Sequence, residues 1–225
     1  VKIEKNLHSG MCLIPIDKDG NRIIYSFRGA NAKLVPFDID IAYITQASLL
    51  HVTSPPIEVA KFVAKVANEN KILLSYDPGG KVIRKGLTFI EPVLQNTNIF
   101  LPSRSELTML YPEIDNPKIA AYQLLKTYGI QIIGIKLGAE GCLIIDEKEE
   151  VLVNGFKVDA IDTTGAGDAF DAAFTMGIQK GWDLSKCGRY ANAAGAIKVT
   201  RIGARTALPT LKEIELFLKG RKMLN

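Results

Sequence analysis

Residues 49–80 read LLHVTSPPIEVAKFVAKVANENKILLSYDPGG, and they hold a strand, a helix and a second strand in that order. Residues 49–52 are a short apolar run of strand length. Residues 55–68 place Ile57, Ala60, Val63, Ala64 and Ala67 at helical spacing. Residues 71–76 form a nearly continuous apolar strand that stops at Asp77-Pro78-Gly79-Gly80, a cluster of turn residues. A strand fully apolar along its length is covered on both faces, which is the habit of a parallel sheet wrapped by helices.

The alternation continues downstream. Residues 98–101 predict a short strand, followed by a helix from about Ser105. Residues 117–128 predict a helix closed by Gly129, and residues 130–137 a buried strand. A hairpin follows at 142–145 and 151–153, then helices at 165–180, 184–199 and 210–218. The fold class is therefore α/β with a mainly parallel sheet, whose ligands sit beyond the carboxyl ends of the strands. Upstream, residues 11–16 and 22–27 flank 17–21, where Asp19-Gly20 is a hairpin turn signal. Gly29-Ala30-Asn31 breaks the pattern, and the hairpin is an appendage that could cover the site.

Composition narrows the classes. Hydrophobic residues at 47% and charged residues at 23% suit a globular domain with a large core and argue against disorder. A net charge of +4 tolerates an anionic substrate but is too dispersed for nucleic acid. Cys12, Cys142 and Cys187 form no C-x-x-C pair, so they are expected to be buried thiols in a reducing, cytoplasmic setting. No signal peptide or membrane span is expected, and the first residue, Val1, hints at a start downstream of a natural beginning or at an unusual start codon. His8 and His51 read as structural residues, and Trp182 as packing.

The chemistry concentrates in Asp162-Thr163-Thr164-Gly165-Ala166-Gly167-Asp168-Ala169-Phe170, which follows the apolar stretch 156–161 and opens a helix. Small residues let amides approach a ligand, and amides at a helix N-terminus are unpaired with the dipole behind them. This is an anion site, with the Asp168 carboxylate in the first turn beside it. Amides that stabilise phosphoryl charge and a carboxylate that accepts a hydroxyl proton are the parts phosphoryl transfer needs. Read from residue types alone, a helix cap with glycines for tight packing explains the stretch equally well.

Residues 162–175, DTTGAGDAFDAAFT, resemble the C-terminal signature of the ribokinase (PfkB) carbohydrate kinase family. Other landmarks of that family occur in order: Gly29-Ala30-Asn31; Lys136-Leu137-Gly138-Ala139-Glu140-Gly141; Asn192-Ala193-Ala194-Gly195-Ala196; and residues 199–204. The resemblance implies a three-layer α/β/α fold with a small β lid hairpin, residues 1–35 being lid and 36–225 the nucleotide-binding and catalytic domain. It implies Asp168 as base and the amides of Gly165, Ala166 and Gly167 as anion hole. Lys136, Gly138 and Gly141 would lie near ATP phosphates or ribose, and Asn192 near adenine. Asp162 and carbonyls of Thr164, Val199, Ile202 and Ala204 would hold a monovalent cation such as K⁺. Arg28 and Asn31 would meet the substrate, although a solvated Arg28 at a strand end is the plainer reading of the residue itself.

Two departures accompany the resemblance. Ser103-Arg104-Ser105-Glu106 stands where the family carries N-x-x-E, so Glu106 can order Mg²⁺ through water while Ser103 replaces the Asn near phosphate. The family also carries an upstream segment with its first strand, a substrate Asp and a Gly-Gly motif, so the expected readings are a fragment, a truncated reading frame or a degenerate paralogue. The expected activity is ATP-dependent phosphorylation of a sugar hydroxymethyl, most like ribokinase, with Mg²⁺ and K⁺. Nucleoside, fructose and 2-keto-3-deoxygluconate kinases are rivals, and a non-catalytic nucleotide-binding paralogue is the alternative of another class. The hairpin edge could pair two subunits. The P-loop, the dinucleotide fingerprint and the G-x-S-x-G elbow are all missing from the sequence.

Overall fold

Strands that are apolar on both faces need cover on both faces, and the chain supplies it from two groups of helices. The computed structural model describes residues 3–15, 23 and 25–222. Strands β1 (Met11–Leu13) and β2 (Tyr25–Phe27) form a separate antiparallel pair, with Met11 opposite Phe27. The hairpin turn expected at 17–21 lies outside the described residues. The main sheet holds β3 (Leu49–Thr53), β4 (Leu73–Asp77), β5 (Ile99–Phe100), β6 (Ile132–Lys136), β7 (Gly141–Ile145) and β8 (Glu150–Asn154), side by side in chain order. β3 to β6 run parallel, and β7 and β8 return antiparallel.

Side-chain alternation sorts the core into two layers. Leu74, Tyr76, Phe100, Ile133 and Ile135 face one side. There they meet α2 (Ile57–Glu69), α3 (Gly80–Ile83), α4 (Leu87–Leu94), α5 (Arg104–Leu110) and α6 (Pro117–Tyr128). Ile99, Leu101, Cys142 and Ile144 face the other, against α7 (Ala166–Gln179), α8 (Leu184–Val199) and α9 (Leu211–Lys222). The architecture is a three-layer α/β/α sandwich with a mainly parallel sheet and a small hairpin, as expected. A short helix α1 (Ile41–Ile44), capped by the Asp40 side chain on the Tyr43 amide, links the hairpin to β3.

The helix stops obey local chemistry. Gly129 closes α6 in the left-handed region at φ 67°. The Asp183 carboxylate caps α8 on the Lys186 amide. The expectation of three buried thiols holds for Cys142 and Cys187 and fails for Cys12, which is exposed because β1 belongs to a two-stranded sheet without a covering layer. Trp182 packs on Tyr190 with ring centroids 4.5 Å apart. Among the described residues no helix is long and apolar enough to cross a membrane.

Gly141 enters β7 at φ 110°, where an added Cβ would stand 2.0 Å from the Val153 carbonyl. Gly141→Ala is therefore expected to lose about 1–3 kcal/mol of stability. For a chain of this size each kcal/mol lowers Tm by about 2–4 °C. Calorimetry of the variant checks this, with Gly220→Ala, which meets nothing within 4 Å, as the control.

Candidate active site

Because β3 to β6 are parallel, their carboxyl ends open on one edge of the sheet, and the helices following them start there. A cavity of about 690 Å³ lies over the ends of β4, β5 and β6. It receives Ser103, Glu106, Lys136, Gly138 and Gly141 from the first half of the site, and Ala166, Gly167, Asn192 and Val199 from the second. These residues come from four segments far apart in sequence, and nine of the positions singled out by motif line one space. Arg28 and Asn31 line a different cavity of about 1120 Å³ beside the ends of β3 and β4, together with Ser54, Gly80, Lys81 and Arg84.

The N-terminus of α7 carries the anion-binding geometry. Gly165 is its N-cap residue at φ 82° with no side-chain cap, a conformation open to glycine, and an added Cβ would meet the Ala204 carbonyl at 2.9 Å. The first amide bonded within the helix is Ala169, to the Gly165 carbonyl at 3.0 Å. Ala166 donates to the Thr163 carbonyl at 3.2 Å, so its amide closes the turn and is not a free member of the expected hole. Among the described residues, the amides of Gly165, Gly167 and Asp168 have no backbone partner. Asp168 is exposed, in the first turn of α7, and makes no salt bridge among the described residues.

Three ionisable groups are packed beside that helix start. Lys136 Nζ donates to Asp77 Oδ2 at 2.7 Å and to Asp171 Oδ1 at 3.1 Å, and it lies 3.7 Å from where a Gly167 Cβ would be. The ammonium thus sits beside the start of α7, held there by Asp77 and Asp171. Asp77 does two jobs, since its Oδ1 also accepts the Gly79 amide at 2.9 Å in the turn after β4. Burial pushes the Asp77 carboxyl up, but Lys136 and the Gly79 amide outweigh it and hold it below the usual range. Burial raises the fully buried Asp171 carboxyl well above that range, against the pull of Lys136. Burial lowers Lys136 and the carboxylates raise it, with the net shift upward. His51 Nε2 stands 3.8 Å from Asp171, and burial, the largest influence, lowers its pKa.

Asp171 escaped the motif reading, although Asp168 and Asp171 are three apart on one helix and so share a face. Ser103 and Glu106 form a reciprocal cap on α5: the Ser103 amide donates to Glu106 Oε2 at 2.7 Å, and the Glu106 amide to Ser103 Oγ at 3.3 Å. Glu106 Oε1 lies 3.8 Å from where a Gly80 Cβ would be, and Gly80 lines the neighbouring cavity. Asn192 Nδ2 donates to the carbonyls of Val153 and Asn154, tying α8 to β8, while the residue still lines the cavity. Among the described residues no group of three His, Cys, Asp or Glu could hold a metal unaided. The carboxylates of Asp77 and Glu106 both line the cavity.

The five positions expected to hold a monovalent cation do not form an open cage. Asp162 Oδ1 accepts the Thr164 amide and Oδ2 the Gly203 amide, both at 2.9 Å. These amides, Thr164 first, hold the Asp162 carboxyl below the usual range. The Val199 carbonyl accepts two amides, Ile161 at 2.7 Å and Asp162 at 3.1 Å, which uses both its lone pairs. Ile202 is 79% exposed. The Ala204 carbonyl abuts Gly165.

Lys136→Met would leave two buried carboxylates without their cation and is expected to cost about 3–5 kcal/mol. Adding Asp171→Asn should return part of that loss. In otherwise native protein, the stability of Asp171→Asn relative to the native chain rises with pH. A raised carboxyl pKa contributes stability below the unfolded value of about 3.9 and loses it as pH passes through the raised folded value. Chemical denaturation of the native chain and the variants between pH 5 and 9 checks both statements.

Comparison with known proteins fits the geometry. The model of the pfkB family carbohydrate kinases matches residues 1–211. A protein named uncharacterized sugar kinase from Archaeoglobus fulgidus is 38% identical over 207 residues, covering 89% of this chain and 80% of its own. A protein named ATP-dependent ribose-1-phosphate kinase from Halopiger xanaduensis is 31% identical, covering 92% of this chain and 66% of its own. The crystal structure of ribokinase from Thermotoga maritima superposes with a TM-score of 0.85 at 31% identity, covering 96% of this chain and 72% of that one.

Proposed function

The chain belongs to the pfkB family of carbohydrate kinases, phosphotransferases with an alcohol acceptor; within that family we propose that it is the catalytic part of an ATP-dependent sugar kinase, most like ribokinase. The observation that carries the reading is the open α7 N-terminus, with free amides at Gly165, Gly167 and Asp168 beside an exposed, unpaired carboxylate. In this reading residues 36–225 are the nucleotide-binding and catalytic domain, and the hairpin within residues 1–35 is a lid.

ATP lies in the 690 Å³ cavity, its adenine side against α8 near Asn192 and its phosphates toward Ser103, Lys136 and Gly167. The acceptor lies in the neighbouring cavity, where Arg28 and Asn31 face the ends of β3 and β4. Asp168 accepts the proton of the acceptor hydroxyl as that oxygen attacks the γ-phosphoryl group. The α7 amides and the Lys136 ammonium stabilise the charge that builds on the transferred group. When bound with the nucleotide, Mg²⁺ supplies further charge neutralisation at the phosphates, and Glu106 holds it through water. Asp168→Asn is expected to lower kcat by about 10² to 10⁴ while sparing the affinity for an ATP analogue. A variant that keeps near-native turnover refutes the role of base.

One observation favours a second reading of the acceptor. The larger cavity is lined by Arg28, Lys81 and Arg84, with no carboxylate among the described residues that line it. Arg28 Nη2 reaches the Ser54 carbonyl at 3.4 Å, and Ser54 is held at φ 47°, in the left-handed region, by its Oγ bond to the Pro78 carbonyl. Cations of one sign around a concave site favour an anionic acceptor. A sugar monophosphate is then the substrate, in keeping with the acceptor in the Halopiger protein's name. Steady-state kinetics with ribose and with ribose 1-phosphate decides between the two. In the second reading, Arg28→Ala should lower kcat/KM for the phosphate by about tenfold or more and leave neutral sugar unaffected.

A further inference from the structure

We infer that the Lys198 ammonium is a tethered monovalent cation, and that the loops flanking α7 work without K⁺ or any other bound alkali ion. Lys198 lies in the last turn of α8 and is 0% exposed, a rare state for a lysine. Its Nζ donates to the Asp162 carbonyl at 2.6 Å and to the Arg201 carbonyl at 3.4 Å, and stands 3.2 Å from Asp162 Oδ2. Two carbonyls and one carboxylate are the oxygen set that a hard monovalent ion takes, and an ammonium matches such an ion in charge and closely in size. Two of the other expected ligands are already engaged. Asp162 Oδ1 and Oδ2 take the Thr164 and Gly203 amides, and the Val199 carbonyl takes two more. An alkali ion entering here would have to displace Nζ from the oxygens they would share, leaving a buried charge without partners.

The position gives the charge a purpose. Neighbours on α8 such as Ala194 and Ile197 are buried and apolar, so burial alone would be met by a hydrophobic residue at 198. The ammonium instead ties residue 162, at the entry to the α7 amide cradle, to residue 201, at the entry to the loop whose Ala204 carbonyl abuts Gly165. Both loops join at the start of α7, so a cation between them sets where the open amides point. Lys198 is thus a positioning residue for the anion site and touches no reacting atom. The activity arm of the test below rests on the kinase reading; the stability arm does not.

The test uses the intact protein in KCl, NaCl or tetramethylammonium chloride at equal ionic strength, reading Tm and, with ATP and the accepted sugar, kcat/KM. The expected result for the native chain is the same Tm and kcat/KM in all three salts. Lys198→Met, apolar and of similar length, should lower kcat/KM by about ten- to a hundredfold. Lys198→Ala, which leaves a vacancy, should regain activity and Tm with K⁺ or ammonium and not with tetramethylammonium. Saturable activation or stabilisation of the native chain by K⁺ overturns the inference, whether or not either variant folds. A native chain that phosphorylates no sugar in any salt sinks the kinase reading alone, because its melting in the three salts still decides the cation.

Discussion

A sheet covered on both faces can offer ligands only its edges and the ends of its strands. That constraint arranges everything else in this protein. Four parallel strands end at one edge, and each is followed by a turn or helix start that cannot be buried without losing its backbone partners. The unpaired amides at the start of α7 and the turn after β4 are therefore products of the fold as much as of the chemistry. The two cavities lie side by side along this edge, one over β4 to β6 and one over β3 and β4.

Against that backdrop the partly buried Lys136 and the fully buried Lys198 answer different needs. Lys136 brings positive charge to the place where phosphoryl charge would build, and the carboxylates of Asp77 and Asp171 keep it in place through burial that would otherwise expel it. Lys198 joins two loops whose carbonyls converge. In both cases the partners come from other elements, so each ammonium fixes the relative placement of segments that hydrophobic contacts alone hold only approximately.

Much of the fold was legible because local pattern and local chemistry agree. The helix at 117–128 with its Gly129 stop and the helix at 184–199 appear with the expected bounds. The strands of the main sheet shift by one or two residues, as ends fray, while the hairpin strands are shorter than expected, Met11–Leu13 and Tyr25–Phe27 among the described residues. Helix α4 was not foreseen, because Pro92 inside Leu87–Leu94 reads as a breaker; the helix survives by being short and by burying Ile90, Val93 and Leu94. Cys12 was expected inside because a cysteine in an apolar run is usually buried, and only the absence of a second layer over β1 exposes it.

The sequence by itself determined the strand–helix alternation, the anion-binding start of α7 and Asp168 beside it. Each depends on residues within a turn or two of one another, where backbone geometry dictates the neighbours. The tertiary structure decided which charges meet: Lys136 with Asp77 and Asp171, Lys198 with Asp162, and Arg28 with Ser54. These partners are separated by up to 59 residues. No periodicity records such a distance, because an ion pair depends on where the packed layers bring side chains rather than on their spacing along the chain.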